Sequence, residues 1–199
     1  MRLNRAEYAL MNNPLRAAIQ RRFEATRLLR MGGALGGGTA LEIGCGRGVG
    51  AALVFERFGA DRVDAFDLDP RMVRLARRRL EARSRQVRLW VGDATSIPVP
   101  GASYDAVFDF GIIHHIPCWK RCLAEVARVL KPGGTLYAEE VLARFIRNPV
   151  VRRVLEHPQR DRFDAAGFTA ALEEVGLEPL CTLDSWRSFA WFVARKPLC

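Results

Sequence analysis

The chain has 199 residues, 49% of them hydrophobic and 27% charged, which is enough apolar side chain for one full core and ordinary for a soluble globular protein. It contains no run of about eighteen apolar residues, so hydropathy excludes a membrane-spanning helix. Thirty-one Lys and Arg against 22 Asp and Glu leave a net charge of +9, but the arginines are spread along helical patterns and do not form one tract, so composition bias explains them better than a nucleic-acid patch.

Residues 1–31 read as helical, with Leu3, Tyr8, Leu10, Ile19, Phe23, Leu28 and Leu29 at loosely helical spacing and Pro14 as an interruption. The opening MRLNRAEYALMNNP lacks the apolar block of a secretory signal, which predicts a cytoplasmic protein. GGALGGG, Gly32 to Gly38, is a flexible hinge. Strands and helices then alternate. TALEI (39–43) predicts a strand, 49–58 a helix, RVDAFDL (62–68) a strand, and Pro70 to about Ala82 a helix with proline in its first turn. VRLWVGD (87–93) and YDAVFDF (104–110) are the third and fourth strands. An amphipathic helix over 119–130 is stopped by KPGG (131–134), and TLYAEE (135–140) is the fifth strand. This alternation implies a parallel sheet covered on both faces. Residues 142–160 are polar and helix-like, with Pro149 and Pro158; Asp164 suits the cap of a helix ending at Gly176. Residues 177–186 and 188–196 read as two strands joined by a tight turn.

The stretch LEIGCGRGVG places Gly44, Gly46 and Gly48 at the carboxyl end of the first strand, where doubly wound sheets bind ligands. Glycines there let a ligand lie against the backbone, and the following helix N-terminus favours negative charge. Asp67 ends the second strand, nineteen residues past Gly48. Its carboxylate can accept from two ribose hydroxyls and would repel a 2′-phosphate. Gly46, Gly48 and Ala51 also satisfy G-x-G-x-x-A, so spacing alone leaves an NAD-dependent oxidoreductase open. Glu42 and Asp93 argue otherwise. A carboxylate at Glu42 repels a pyrophosphate and attracts an ammonium group. Asp93, in the GDA that ends the third strand, can accept from an exocyclic adenine amine.

The pieces LEIGCGRG, DLDPRMVRLAR, VGDATSIPVPGASYDAVF and IIHHIPCWKRCLAEVARVLKPGG follow in order over about residues 39–140. Together they resemble the class I S-adenosylmethionine-dependent methyltransferases (the methyltransferase type 11-like domain), in the branch of the ubiquinone and menaquinone biosynthesis enzymes. The resemblance implies an α/β, Rossmann-like, doubly wound and mostly parallel seven-stranded sheet of order 3-2-1-4-5-7-6, with an antiparallel C-terminal hairpin. It implies S-adenosyl-L-methionine as cofactor and S-adenosyl-L-homocysteine as product. Carried over, Glu42 would face the methionine amino group. Gly44, Cys45, Gly46 and Gly48 would lie against the methionine and ribose portion. Asp67 would hold the ribose hydroxyls, Leu68 would pack on the adenine, Asp93 would accept from its amine, and the Ala94 backbone would meet the ring.

For the acceptor side, Asp109 at the end of the fourth strand is the first candidate, as proton acceptor, as holder of a cationic acceptor or as cofactor contact. His114 and His115 follow as candidate bases or as support for the loop. His114, His115, Cys118 and Cys122 do not match a standard zinc spacing, and no metal is expected. The five cysteines, Cys45, Cys118, Cys122, Cys181 and Cys199, are odd in number, scattered and without a CxxC pair, and read as free thiols. Tyr8, Met11, Asn12 and Asn13 are candidates for covering the cofactor. Tyr8, Arg144, Phe145, Arg147 and His157 are candidates for the acceptor pocket, whose arginines would favour an anionic or phenolic small molecule. The segment EEVLARFIRNP departs from the quinone enzymes, so their substrate is not carried over.

The expectation is one methyltransferase domain over 1–199. It comprises a helical cap and linker (1–38), a cofactor-binding core (39–140), an acceptor-side cap (141–163) and a C-terminal helix and hairpin (164–199). It would act on a small organic acceptor by in-line methyl displacement, as a monomer or homodimer. The rivals are the NAD-dependent oxidoreductase and a non-catalytic, methyltransferase-like module that binds nucleic acid. FGIIHHIP stands where an N-P-P-Y/F motif would mark nucleic-acid amino methylation, which argues against nucleic acid as the substrate.

Overall fold

The computed structural model describes residues 13–148, 151 and 161–198. Its seven strands are β1 Thr39–Ile43, β2 Arg62–Asp67, β3 Val87–Val91, β4 Tyr104–Phe110, β5 Leu130–Val141, β6 Glu178–Ser185 and β7 Phe189–Arg195. They form one sheet of order β3-β2-β1-β4-β5-β7-β6, as expected from the resemblance. β1 to β5 pair in parallel, and β7 runs antiparallel between β5 and β6. β1 pairs with both β2 and β4. The chain order reverses there, so the loops leaving β1 and β4 diverge and open a crevice at their carboxyl ends.

Both sheet faces are covered, which is why the central strands are nearly continuous apolar runs. On one face Leu41, Ile43 and Val107 pack with Leu123 and Val126 of α5 (Trp119–Val129) and with Phe168 of α7 (Ala165–Glu174). On the other, Leu28, Leu53, Phe58, Phe108 and Tyr137 meet. Phe58 stands edge-on to Phe108 and Tyr137 at ring separations of 4.7 and 5.3 Å.

Several boundaries differ from the sequence expectation for identifiable reasons. Pro14 begins a helix within the described residues, and the expected helix before it lies outside them. α1 spans Pro14–Ile19, and the Asn13 side chain accepts from the Arg16 amide at 2.8 Å. Proline has no N–H to lose in a first turn. The helix then loosens into a π turn over Gln20–Glu24 and resumes as α2, Ala25–Gly32. The expected helix at 49–58 is likewise α3 (Val49–Leu53) followed by a π turn, Val54–Phe58. α4 (Pro70–Arg79) ends three residues short of the expected Ala82, and a 3-10 turn Glu81–Arg83 follows. KPGG does stop α5, but the chain turns at once into β5. The β4–β5 register jumps from Tyr104↔Leu130 to Ala106↔Thr135, so the motif bulges out of the ladder. Asp164 caps α7 as expected, accepting from the Gly167 amide at 2.8 Å. The β6–β7 hairpin turns through Trp186 and Arg187, both with φ near +55°. Of the expected helix-like stretch 142–160, the described residues include α6, Ala143–Ile146.

Candidate functional site

The crevice is a cavity of about 400 Å³ at the carboxyl ends of β1, β2, β3 and β4, a size suited to a small ligand. Its floor is the glycine turn after β1, where Gly44, Gly46 and Gly48 have φ of 67°, 50° and 80°, values that L side chains adopt at a cost. A Cβ on Gly44 would stand 2.6 Å from Ile112, so this turn packs directly against the loop after β4. A Cβ on Gly46 would meet nothing within 4 Å; the space over Gly46 is open to a ligand.

Asp67 ties this turn to β2. Its Oδ2 accepts from the Gly46 amide at 2.9 Å and its Oδ1 from the Asp69 amide at 2.8 Å. Burial pushes the Asp67 pKa up, and the two backbone donors pull against it. Each oxygen keeps a further lone pair for a ligand hydroxyl.

Glu42, next to last in β1, lines the crevice and is buried. Its Oε2 has no hydrogen-bond partner among the described residues. Burial raises its pKa well above the ordinary carboxyl range; the Ala51 amide opposes this, and the nearby Asp67 and Asp109 add to it. A Cβ on Gly50 would lie 1.9 Å from Glu42 Oε1, so Gly50 exists to admit this side chain. At the far end, Leu68 is 44% exposed and Asp93 accepts at Oδ1 from the amide and hydroxyl of Thr95, at 2.8 and 2.9 Å. Leu68, Asp93, Ala94 and Thr95 all line the crevice, as does Cys45.

The acceptor-side expectations divide. Asp109 does not line the crevice. It is fully buried, with Oδ1 accepting from the Ile112 amide at 2.9 Å, and it hydrogen-bonds with Glu140. Burial raises both carboxyls, Glu140 to about 7, and the pair stays together by sharing a proton. His114 is also buried; its Nδ1 lies 2.6 Å from Glu140 Oε2, and Arg162 donates to its carbonyl oxygen. His115 does line the crevice, its ring centroid 4.1 Å from that of His114. The two histidines therefore part company, one anchoring the loop and the other facing the ligand space. Arg144, Phe145 and Arg147 are not part of the crevice wall, and the Phe145 ring packs 4.9 Å from that of Phe189. Asn13 caps α1. Tyr8, Met11, Asn12 and His157 lie outside the described residues.

Sequence reasoning missed Arg16 and Gln20, which the N-terminal helix brings to the crevice, and Arg121 from α5. No local sequence signal marks Arg16 and Gln20, since the π turn over Gln20–Glu24 sets which way that segment faces. Among the described residues, no group of three or more His, Cys, Asp or Glu is placed to hold a metal ion.

Comparison with known proteins agrees with this geometry. A family model described as a methyltransferase domain matches residues 40–134. The chain is similar to methyltransferase domains over those residues, just under half of its length. It is 37% identical over 101 residues to the demethylmenaquinone methyltransferase of Thermus thermophilus, covering 50% of this chain and 46% of that one. It is 36% identical over 107 residues to the phthiotriol/phenolphthiotriol dimycocerosates methyltransferase of Mycobacterium leprae, covering 53% and 38%. The chain spans about half the length, or less, of the curated relatives it matches. The methyltransferase fold also appears in the solved structure of an S-adenosylmethionine-dependent methyltransferase from Aquifex aeolicus, with a TM-score of 0.75 at 19% identity over 98% of this chain and 100% of that one.

Proposed function

We propose that the domain binds S-adenosylmethionine in the β1–β4 crevice and transfers its methyl group to a small organic acceptor. One observation carries the reading: the buried Glu42 carboxyl, with an unpartnered oxygen, beside the open space over Gly46. A cationic amino group fits that oxygen, whereas the pyrophosphate of a dinucleotide would meet a carboxylate. The residues present fit the rest of the cofactor too. Asp67 would accept from the ribose hydroxyls while holding the glycine turn. Asp93, through the oxygen that Thr95 leaves unused, would accept from the adenine amine, and Leu68 and Ala94 would cover the ring.

When bound, the sulfonium supplies an electrophilic methyl group. The chain's own residues position and shield. Glu42 and Asp67 fix the ligand at two points, which supports an in-line approach by lowering the entropy of alignment. Ile112, Ile116 and Pro117 make an apolar wall that keeps water from the reacting end. His115 is the side chain in that wall able to take a proton from an acceptor hydroxyl. Asp109 and His114 act behind it, holding the loop after β4. Arg16 and Arg121 line the same crevice and favour an acceptor with an anionic or phenolic end on an apolar body. The free Cys45, Cys118, Cys122 and Cys181 suit a reducing, cytoplasmic setting. The test uses methyl-labelled S-adenosylmethionine with a panel of phenols, fatty acids and quinols. Label should appear in an organic-soluble product with the wild type and not with Asp67→Ala. Labelled product at equal rates from both proteins would remove the reading.

A further inference from the structure

The face of the N-terminal helix turned away from the sheet is apolar. Leu15, Ile19 and Phe23 follow at four-residue steps and are 69%, 39% and 57% exposed. They form one stripe along α1 and the π turn, with exposed Ala18 and Arg22 between them. On an adjoining face of the same segment, Arg16 and Gln20 line the crevice. The stripe therefore borders the mouth of the site. A contiguous exposed apolar patch in that place marks an interaction surface.

The charge beside the stripe identifies the partner. Arg21 and Arg22 are exposed on the helix itself. Arg47 donates from Nη2 to the Asn13 carbonyl at 3.0 Å, and Arg79 donates from Nε to the Arg47 carbonyl at 3.1 Å. Partial burial, and then the nearness of Arg47 and Arg21, lower the Arg79 pKa, so three guanidinium groups crowd this flank. Arg21 pairs with Glu56 at 2.9 Å, an exposed contact that a competing anion can replace. Elsewhere, among the described residues, Glu42, Asp109 and Glu140 are buried, and burial raises the pKa of each. They do little to offset the arginines at the surface, in a chain already at +9.

We propose that this helix face docks on an anionic lipid bilayer, with Leu15, Ile19 and Phe23 entering the interfacial layer and Arg21, Arg22 and Arg47 meeting the lipid phosphates. Apolar residues on one face and arginines flanking them are the two parts of an interfacial helix. A nucleic acid would use the arginines and leave the stripe in water. A second copy of the chain would bring the same positive flank against itself. The bilayer satisfies both features and places the crevice mouth against the layer that holds lipophilic acceptors. Docking stands on the helix alone and does not require the methyl-transfer reading.

The test is cosedimentation of the full chain with vesicles of phosphatidylcholine alone and of an equal mixture with phosphatidylglycerol. Binding is expected to the mixture and not to phosphatidylcholine. Ile19→Asp with Phe23→Asp should weaken it roughly tenfold or more, while the circular dichroism spectrum and binding of S-adenosylhomocysteine stay unchanged. If that pair disturbs folding, Phe23→Trp reports directly, its emission shifting to the blue when mixed vesicles are added. No sedimentation with the mixture, no shift, or binding by the double variant as tight as the wild type would overturn the proposal. So would light scattering that shows a wild-type dimer and a monomeric double variant, since the stripe would then be a contact between copies.

Discussion

Replacing Glu42 by Gln tests the site at its most unusual feature. In the ligand-free protein the buried carboxyl holds its proton well above the ordinary range. A cationic amino group placed against it favours the ionised form, so binding should expel that proton. The complex then carries fewer protons than the free protein, and affinity rises with pH. Across any interval where Glu42 is protonated free and ionised bound, the gain is tenfold per unit, about 1.4 kcal/mol. The rise ends where the ligand's own α-amino group loses its proton. Gln keeps the shape and one acceptor oxygen but gives up the charge. It should weaken binding by about 2–3 kcal/mol, roughly 30- to 150-fold. The assay is calorimetric titration with S-adenosylhomocysteine between about pH 5.5 and pH 7, in buffers of different ionisation enthalpy, to count protons released. Wild type should release up to one proton and Glu42→Gln fewer, with a flatter affinity profile. Equal proton release and equal slopes in the two proteins would refute the assignment of Glu42 to the amino group.

Gly50→Ala and Gly46→Ala should differ in what they lose. The first puts a methyl 1.9 Å from Glu42 Oε1 and 2.6 Å from Phe110, an overpacking cost of about 1–3 kcal/mol in a denaturant melt. The second meets nothing within 4 Å at φ +50°, so it should lose about 1–2 kcal/mol of stability and a larger share of ligand affinity, its methyl standing in the ligand space. The Asp109–Glu140 pair predicts that stability falls with rising pH. Glu140 is raised from 4.5 to about 7, chiefly by burial, so its contribution is present below 4.5 and lost as pH climbs through 7. Asp109→Asn keeps a donor toward Glu140 and leaves its burial in place, so the fall through 7 should persist, read as urea midpoints across the range; a fall lost in the variant would show that Glu140 is not the group titrating there. Tyr104→Phe removes a 2.7 Å hydrogen bond to Asp64 at the edge of the sheet opposite the crevice. It should cost about 1–2 kcal/mol and leave ligand binding untouched, and a change in affinity would show that the two ends are coupled.

The core and the glycine-floored crevice of this molecule were legible because they rest on local rules. TALEI and YDAVFDF are apolar runs bounded by turn residues, and their strands coincide with those runs. The glycine turn and Asp67 were legible because backbone approach and a strand-end acid each leave a signature in spacing. What escaped depended on contacts between distant segments. Asp109 is a strand-end acid like Asp67, yet it turns inward because Glu140, thirty-one positions on in the sequence and on the neighbouring strand, offers a carboxyl to share a proton with. His114 and His115 are adjacent in sequence, and the same Glu140 decides which is buried. Arg16 and Gln20 reach the crevice through a helix loosened by a π turn, for which no local sequence rule exists. Arg144 and Phe145 were assigned to the acceptor pocket from position alone, and the Phe145–Phe189 contact shows a packing role that position does not reveal.

The central claim is that the crevice holds a sulfonium nucleoside and not a dinucleotide. Calorimetric titration of the full chain with S-adenosylmethionine, S-adenosylhomocysteine and NAD tests it most directly, with Asp67→Ala as control. Saturable binding of the first two, lost in the variant, with no heat from NAD, is the predicted result. Saturable NAD binding, or silence from all three ligands, would contradict it.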